Sequence, residues 1–274
     1  MNAVERWGRA LEAWGIPQEI LDAAPESPWG LPPELFRRRA DVATRLAPSV
    51  SARRALEALP EGGSVLDVGV GGGAASLPLA PHASAITGVD DSQEMLRAFA
   101  EAAEAAGVRA IAVPGRWPDA GDRVEPADVV VCNHVLYNVR EIEPFVRALD
   151  GHARSRVVIE ITATHPLAWM SDLWAGFHGL ERPDRPTADD AEEALRELGL
   201  PVRREDDRRR PRATGFERRE DAVSLVRRRL CLPAARDEDV AAALGERLAQ
   251  SDGLWSAGPK EQTVVTLWWD ARTA

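Results

Sequence analysis

The sequence is poor in several residue types on which particular kinds of protein depend. Lys260 is the only lysine, Tyr137 is the only tyrosine, and Cys132 and Cys231 are the only cysteines. Two cysteines provide neither a disulfide framework nor a zinc-binding pattern, and they fit a reducing compartment. No apolar run reaches the roughly 20 residues that a membrane helix needs, and the charged start MNAVERWGRALEAWG argues against a signal peptide. These absences predict a cytoplasmic protein without a metal site.

Basic residues are also fewer than acidic ones. The 34 basic and 44 acidic residues of this 274-residue chain give a net charge of −10, which disfavours a broad surface for nucleic acid or for an anionic membrane. The only charge-dense run, RREDDRRRPR at residues 203–212, mixes both signs, and we interpret it as a solvated loop. The length allows one large α/β domain with additions, or two small domains.

From residue 64 onward, short runs rich in Val and Ile alternate with helical patterns. Residues 1 to about 60 show apolar residues at helical spacing but no convincing strand. The runs that we predict to be strands are SVLDVGV, SAITGVD, VRAIAVPG, ADVVVCNHVL, RVVIEIT, LPVRRED and QTVVTLWWD. Helical segments separate them, including one that starts at Ser92 and one that Thr187 caps. This alternation predicts a parallel sheet covered on both faces, with a last strand that returns antiparallel.

The segment VLDVGVGGGAASL carries four glycines within five residues, directly after a strand that ends in an acid. A strand that runs into a glycine-rich turn and then a helix brings backbone N–H groups close to a ligand. The glycines are followed by Ala-Ala and not by the Lys-Ser/Thr of a P-loop, which excludes that nucleotide site. A short-chain dehydrogenase is excluded too, because it needs a lysine four residues after its tyrosine, and Glu141 stands four residues after Tyr137.

The acid before the glycines narrows the choice of ligand. A carboxylate two residues before the first glycine would repel a pyrophosphate but suits a ligand with a positive amine. Asp67, Gly69, Gly71 and Gly73 match the pattern Asp/Glu-x-Gly-x-Gly-x-Gly, and the segment resembles the first motif of class I S-adenosylmethionine-dependent methyltransferases. The resemblance implies that this loop holds the methionine half of S-adenosyl-L-methionine, with Asp67 at its amino group, and that S-adenosyl-L-homocysteine is the product.

The resemblance also implies the architecture. It leads us to expect a Rossmann-like, seven-stranded, mostly parallel sheet with an antiparallel last strand. Residues 1–60 would form a helical N-terminal cap, and residues 61–274 the methyltransferase domain, with a helical insertion at about 214–258 before the last strand. The aromatic residues of the cap either cover the mouth of the site or simply anchor the cap helices; they include Trp7, Trp14, Trp29 and Phe36.

Further cofactor contacts are expected after the second and third strands. Asp90 ends the second strand about 20 residues after the loop, where an acid of this fold binds ribose hydroxyls. Asp91 either joins the cofactor site or starts the following helix. At the place of the family's adenine-binding acid the chain has Arg116 and Trp117, and Trp117 either stacks on adenine or has a structural role.

The fourth strand resembles the family segment that ends beside the transferred methyl group. This implies that Asn133 and His134 face the sulfonium, with Tyr137 just beyond them. His134, Tyr137 and His165 are the candidates for catalysis, because a base can take the proton of a hydroxyl or amine and would lie at the carboxyl ends of the strands. The alternatives are a structural contact to the cofactor for His134, a place outside the pocket for Tyr137 and a capping role for His165.

Several acceptor classes are disfavoured. No Asn/Asp-Pro-Pro-Tyr/Phe segment follows the fourth strand, as amino methylation of adenine or glutamine would require, and no Pro-Cys pair marks a cytosine-C5 enzyme. The Asn133-His134 pair stands where metal-dependent catechol-type enzymes have an aspartate. We therefore expect a small-molecule acceptor methylated on O or N by in-line displacement, no membrane partner, and a monomer or homodimer. The alternatives are a non-catalytic cofactor-binding scaffold or sensor, and an RNA methyltransferase whose groove is built from residues 203–212.

Overall fold

The computed structural model of the protein describes residues 1–29, 33–210 and 215–271. Four helices precede the first strand: α1 (Ala3–Glu12), α2 (Gln18–Ala23), α3 (Pro33–Arg45) and α4 (Val50–Leu56). The alternating part consists of β1 (Gly63–Val68), β2 (Ala83–Asp90), α5 (Gln93–Ala105), β3 (Arg109–Pro114), β4 (Ala127–Asn133), α6 (Ile142–His152) and β5 (Ala153–Thr162). It continues with α7 (Ser171–His178), α8 (Ala188–Glu197), β6 (Arg203–Arg209), α9 (Arg219–Arg229), α10 (Asp237–Leu244), β7 (Leu248–Ser251), β8 (Leu254–Ala257) and β9 (Gln262–Asp270).

Seven strands form one sheet in the order β3-β2-β1-β4-β5-β9-β6. The pairs among β1 to β5 are parallel, and β9 runs antiparallel to both of its neighbours, β5 and β6. The carboxyl ends of β1, β2 and β4 therefore meet at one edge of the sheet, where the strand order reverses between β1 and β4 and where ligands bind in folds of this kind. The predicted seven-stranded, mostly parallel sheet with an antiparallel last strand is confirmed.

The central strands send alternate side chains into two apolar cores. On one face, called the α1 side, Leu66 and Ile159 pack with residues of α1, α6 and α8. On the other face, called the α4 side, Val65 and Val131 pack with residues of α4 and α5. Since both faces are covered, these strands are almost continuously apolar, which is what made them recognisable in the sequence.

Helix ends follow the local chemistry that the sequence suggested. Ser92 caps α5 by accepting a hydrogen bond from the Met95 backbone N–H, and Thr187 caps α8 in a reciprocal capping box with Asp190. Residues 77–82, after the glycine-rich segment, form a 3₁₀ turn and not an α-helix, because Pro78 and Pro81 lack the N–H groups that a longer helix needs. Across the described ranges, no helix has both the length and the apolarity required to cross a membrane.

Two sequence-based expectations are corrected. Most of the run at residues 203–212 is not a solvated loop, because Arg203–Arg209 forms strand β6 at the edge of the sheet. Its charged side chains are accommodated there since one edge of the strand faces solvent and neighbouring carboxylates pair with its arginines. The insertion before the last strand is not purely helical either: after α9 and α10, β7 and β8 form an antiparallel hairpin.

The N-terminal helices pack directly on the sheet domain. Trp7 of α1 is fully buried in the core of the α1 side, and its indole Nε1 donates to the Val139 carbonyl at 2.8 Å. Helix α3 packs against α5 and the 3₁₀ turn that follows the glycine loop. Trp29 is largely exposed, and the side chain of Phe36 lies outside the described residues. The aromatic residues of this region thus differ in burial: Trp7 anchors α1 in the core, whereas Trp29 is exposed.

Candidate functional site

The glycine-rich loop after β1 has a backbone that favours glycine. Gly69, Gly71 and Gly73 have φ angles of +73°, +50° and +87°, in the left-handed region that costs other residues about 1–2 kcal/mol. A Cβ atom on Gly69 would lie 2.3 Å from Val135 Cγ2. The backbone conformation therefore favours glycine at these three positions. Without side chains there, a ligand can approach the loop backbone closely.

Asp67, the acid before the loop, is fully buried. Its Oδ2 accepts a 2.6 Å hydrogen bond from Ser76 Oγ, whereas Oδ1 has no hydrogen-bond partner among the described residues. Burial raises the pKa of Asp67 to about 7; the hydrogen bond from Ser76 opposes the rise, and the charge of Asp90 adds to it. A buried carboxylate with one unused oxygen is suited to a cationic ligand group, whose charge would keep it ionised.

Asp90 connects the end of β2 to the glycine loop. Its Oδ2 accepts a 2.9 Å hydrogen bond from the Gly71 backbone N–H, and Oδ1 accepts one of 2.9 Å from the Ser92 N–H. An ionised carboxylate can accept about four hydrogen bonds, so Asp90 can still bind a hydroxyl. Asp91 is exposed and pairs with the exposed Arg116 at 3.2 Å. The structure thus places Asp90 against the loop and directs Asp91 and Arg116 towards solvent.

Trp117 anchors the connection between β3 and β4 to helix α6. Its indole Nε1 donates to the Phe145 carbonyl at 3.1 Å, and its ring meets His152 edge-on at a centroid distance of 4.8 Å. These contacts support the structural alternative for Trp117. Stacking on adenine stays a prediction.

The end of β4 lies in a cluster of polar side chains, of which sequence reasoning identified only Asn133 and His134. Glu160 on β5 is in register with Asn133 and is 4% exposed. Its Oε1 lies 3.1 Å from His134 Nε2 and 2.9 Å from an Arg209 guanidinium nitrogen, and its Oε2 accepts a 2.6 Å hydrogen bond from Ser51 Oγ. We call these five residues the Glu160 cluster. The signal that could have revealed it is an ionisable residue within the apolar run RVVIEIT, since acids are rarely buried without partners.

Asn133 lies at the inner side of this cluster. Its Nδ2 donates to Ser51 Oγ at 3.4 Å, and its buried Oδ1 has no partner within the part of the chain that the structure describes. Buried polar atoms are normally hydrogen-bonded. Asp67 Oδ1 and Asn133 Oδ1 are therefore two acceptors, at the ends of neighbouring strands, that a ligand could satisfy.

Tyr137 and His165, the other candidates for catalysis, lie in an aromatic column against the N-terminal segment. Trp7 stacks on Tyr137 at 5.7 Å, Tyr137 meets His165 edge-on at 5.3 Å, and His165 stacks on Trp14 at 3.7 Å between ring centroids. The Tyr137 hydroxyl donates to the Thr162 carbonyl at 2.8 Å, and burial raises its pKa. These are the contacts of a packed core. A catalytic role for either residue stays a prediction that the geometry does not favour.

Replacing His165 with phenylalanine is expected to make the protein less sensitive to acid. Burial, with a contribution from the charge of Arg182, lowers the pKa of His165 to about 3. A histidine of the unfolded chain titrates near pH 6.5, so above that pH His165 does not lower the free energy of unfolding. As the pH falls from 6.5 towards 3, the unfolded chain binds a proton that the folded protein does not, and the free energy of unfolding decreases by up to about 1.4 kcal/mol per pH unit.

Phenylalanine keeps an aromatic ring beside Trp14 but does not titrate, although it loses the hydrogen bond that the Leu167 N–H donates to Nδ1. Urea unfolding between pH 7 and pH 4 should give a shallower decline for His165→Phe than for the parent. Equal slopes for the two proteins would contradict the effect.

A comparison with known protein families finds a match to the segment that contains the glycine loop and most of the parallel strands. Residues 65–155 match a family model described as a methyltransferase domain. The matched segment runs from β1 into β5 and includes the glycine loop, Asp90 and the Asn133-His134 pair. No curated protein sequence matches the chain.

Solved structures share the fold at low sequence identity. A Bacillus halodurans C-125 protein, provisionally assigned as a methyltransferase, is 13% identical with a TM-score of 0.52, over 82% of this chain and 99% of that chain. The YcgJ protein of Bacillus subtilis is 14% identical with a TM-score of 0.52, over 82% and 98% of the two chains. A cyclopropane-fatty-acyl-phospholipid synthase-like protein of Lactobacillus casei ATCC 334 is 14% identical with a TM-score of 0.50, over 92% and 98%. Residues 65–155 thus match a methyltransferase domain model, within a chain that has the predicted Rossmann-like, seven-stranded fold and shares it with these solved structures.

Proposed function

We propose that the protein is an S-adenosylmethionine-dependent methyltransferase that transfers a methyl group to an oxygen or nitrogen atom of a small-molecule acceptor. The observation that carries this proposal is the buried Oδ1 of Asp67, which has no partner among the described residues and lies two residues before the first of three glycines in the left-handed region. The match of residues 65–155 to a methyltransferase domain supports the reaction class. In this proposal residues 61–274 form the catalytic domain, residues 1–60 form its cap, and the protein works in the cytoplasm.

The residues at the loop fit the proposed cofactor. A ligand ammonium group could donate to Asp67 Oδ1 and keep the carboxylate ionised, and Asp90 has lone pairs left for ribose hydroxyls. Asn133 Oδ1, for which the described ranges provide no partner, is a further acceptor at the end of β4. When bound, S-adenosylmethionine supplies an electrophilic methyl group.

The task of the chain is then to align the reactants and to exclude water. Helix α3 packs against α5 and the 3₁₀ turn beside the glycine loop. Arg38 on α3 donates to the Gly215 carbonyl at 2.8 Å and pairs with Glu217 at 2.9 Å. This arrangement ties the insertion to α3, the helix that packs beside the turn after the cofactor loop, and in this proposal α3 helps to screen the site from solvent.

The arginines of residues 203–212 argue against an RNA acceptor. Four of them pair with carboxylates: Arg203 with Asp270, Arg204 with Glu192, Arg208 with Glu261, and Arg209 with Glu160. Arginines neutralised in this way contribute less to binding phosphates, which depends on uncompensated positive charge. Arg212 lies outside the described residues. The pairing supports a small molecule as the acceptor.

The proposal predicts which fraction of a cell extract becomes labelled. The protein would be incubated with S-adenosylmethionine carrying a tritiated methyl group, in separate reactions with a small-molecule ultrafiltrate, total RNA and total protein. Label is expected in the small-molecule fraction for the parent and for Asp128→Asn, and much less of it for Asp67→Asn when the cofactor is not saturating. Asp128 is a suitable control because it lies at the opposite edge of the sheet, where it accepts hydrogen bonds from the Ser64 N–H and Oγ.

Label in RNA would contradict the proposed acceptor. Cofactor binding without label in any fraction would support the scaffold or sensor alternative instead. Absence of both binding and label would overturn the whole proposal.

A further inference from the structure

We propose that His134 is the base that takes a proton from the acceptor, and that Glu160 is the residue that positions and polarises it; this inference rests on the proposed methyltransferase function. It narrows the acceptor to a hydroxyl or amine that loses a proton on methylation. The argument depends on the Glu160 cluster defined above and on the backbone at His134.

Two contacts from Glu160 fix the orientation of His134. The backbone N–H of His134 donates to the Glu160 carbonyl at 2.6 Å, and its ring Nε2 lies 3.1 Å from Glu160 Oε1. His134 has a φ angle of +60°, an uncommon value for a residue other than glycine that tends to occur at functional sites. The chain therefore turns sharply at the end of β4, and the turn brings the imidazole over the carboxylate.

Glu160 remains ionised in its buried position. Burial by itself would raise its pKa, but the hydrogen bond from His134, the charge of His134 when its ring is protonated, the charge of Arg209 and the hydrogen bond from Ser51 together lower the pKa to about 2. One more charged residue lies near Glu160: a carboxylate oxygen of Asp207 is 3.5 Å from a guanidinium nitrogen of Arg209. An ionised Glu160 can only accept hydrogen bonds, so the neutral imidazole donates its Nε2 proton to the carboxylate.

This tautomer keeps the lone pair of the imidazole on Nδ1. His134 has a half-exposed side chain (48%) at the carboxyl end of β4, the edge at which ligands bind in this fold. In the proposed step, an acceptor oxygen or nitrogen forms a bond to the methyl carbon while the carbon–sulfur bond breaks and its electron pair stays on sulfur. The acceptor proton passes to His134 Nδ1, and Glu160 stabilises the resulting imidazolium.

The reactivity of His134 towards diethyl pyrocarbonate tests this arrangement without knowledge of the acceptor. His82 provides a reference within the same molecule, because its side chain is 53% exposed against 48% for His134 and its carboxylate neighbour, Glu61, is itself exposed. Acylation of each histidine would be followed by mass spectrometry at the alkaline plateau of the rate, so that ring protonation does not enter.

In Glu160→Gln, the acylation rate of His134 relative to His82 is expected to fall about fivefold, because a hydrogen bond to a neutral amide polarises the ring less than one to a carboxylate. In Arg209→Gln the relative rate is expected to rise, since Arg209 shares Oε1 with His134 and withdraws charge from it. A purely structural role would move both variants in the same direction or leave both unchanged, and either result would overturn the inference.

The Arg209→Gln measurement keeps the inference testable if Glu160→Gln does not fold, which circular dichroism would reveal. Protection of His134 by S-adenosylmethionine is measured in the same experiment. If S-adenosylmethionine does not protect His134 but both variants show the expected rate changes, the result would count against the proposed cofactor and not against the His134–Glu160 pair. If S-adenosylmethionine protects His134 but neither variant changes the acylation rate, the result would count against the His134–Glu160 pair and not against the proposed cofactor.

Discussion

Asparagine in place of Asp67 is expected to weaken S-adenosylmethionine binding by about 10- to 100-fold, the equivalent of one hydrogen bond to a charged group. The same change is expected to make the free protein more stable at pH 8. Asp67 is buried, and its Oδ1 has no partner in the described ranges, so the free protein carries an uncompensated carboxylate that asparagine replaces with a neutral group of the same shape.

The stability gain has a definite dependence on pH. Since burial raises the folded-state pKa of Asp67 to about 7 from its usual value of 3.8, the folded parent binds a proton more tightly than the unfolded chain does. The parent therefore loses stability relative to Asp67→Asn as the pH rises from about 4 to about 7, and the difference is constant above that range.

Urea unfolding of both proteins at pH 5 and pH 8, with cofactor titrations at pH 8, would check the two effects together. Asp128→Asn is the matched control, because it removes a carboxylate of the same sheet at the far edge and should leave cofactor affinity unchanged. Equal affinities for the parent and Asp67→Asn would contradict the role given to this carboxylate.

Alanine in place of Gly69 is expected to destabilise the protein by about 2–4 kcal/mol and to abolish cofactor binding. The left-handed backbone accounts for about 1 kcal/mol, and the remainder comes from overpacking, because the new Cβ would lie 2.3 Å from Val135 Cγ2. Relief of that clash requires movement of the loop or of the turn after His134, and both are parts of the proposed site.

Gly107→Ala is the matched control for this change. Gly107 has a φ angle of +71°, against +73° for Gly69, but no atom lies within 4 Å of the Cβ that it would gain. Gly107→Ala should therefore show the backbone cost alone and should bind the cofactor normally. Adding Val135→Ala to Gly69→Ala should recover the overpacking part of the loss in free energy of unfolding. Equal destabilisation by the two glycine changes would show that the contact with Val135 has no energetic effect.

The cofactor loop could be predicted from the sequence because its constraints are local. The three glycines at alternate positions each have a positive φ angle, and Asp67 lies only two residues before the first of them. Asp90 lies farther along the sequence, but a hydrogen bond from the Gly71 N–H links it directly to the same loop. The caps at Ser92 and Thr187 could be predicted for the same reason, since each depends on residues within one helical turn.

The Glu160 cluster could not be predicted because four separate segments assemble it: α4, the end of β4, β5 and β6. Ser51 and Arg209 lie 109 and 49 residues from Glu160 along the chain. The packing of α4 on β5 brings Ser51 to Glu160, and the sheet order brings Arg209. The position of β6 beside β9 also explains why residues 203–209 were only partly recognised: LPVRRED was predicted to be a strand, whereas the charged run at residues 203–212 was interpreted as a solvated loop. A strand at the edge of a sheet can be charged throughout when neighbouring elements supply its counter-charges, so it lacks the apolar pattern that reveals a buried strand.

Tyr137 illustrates a different limit of the sequence. Its place just after the fourth strand suggested the pocket, but α1 covers that position with Trp7, and the hydroxyl group donates to the Thr162 carbonyl. The proximity of a residue to a strand end predicts the edge of the sheet at which it lies. It does not predict whether a distant helix will bury it.

Calorimetric titration of the purified protein with S-adenosylmethionine tests the central claim most directly. The account predicts saturable binding at one site per chain. It also predicts that a cofactor concentration 100 times the dissociation constant raises the free energy of unfolding by about 2.7 kcal/mol. The absence of both binding heat and stabilisation at millimolar cofactor would contradict the account, because Asp67 and the glycine loop would then have no cationic ligand to hold.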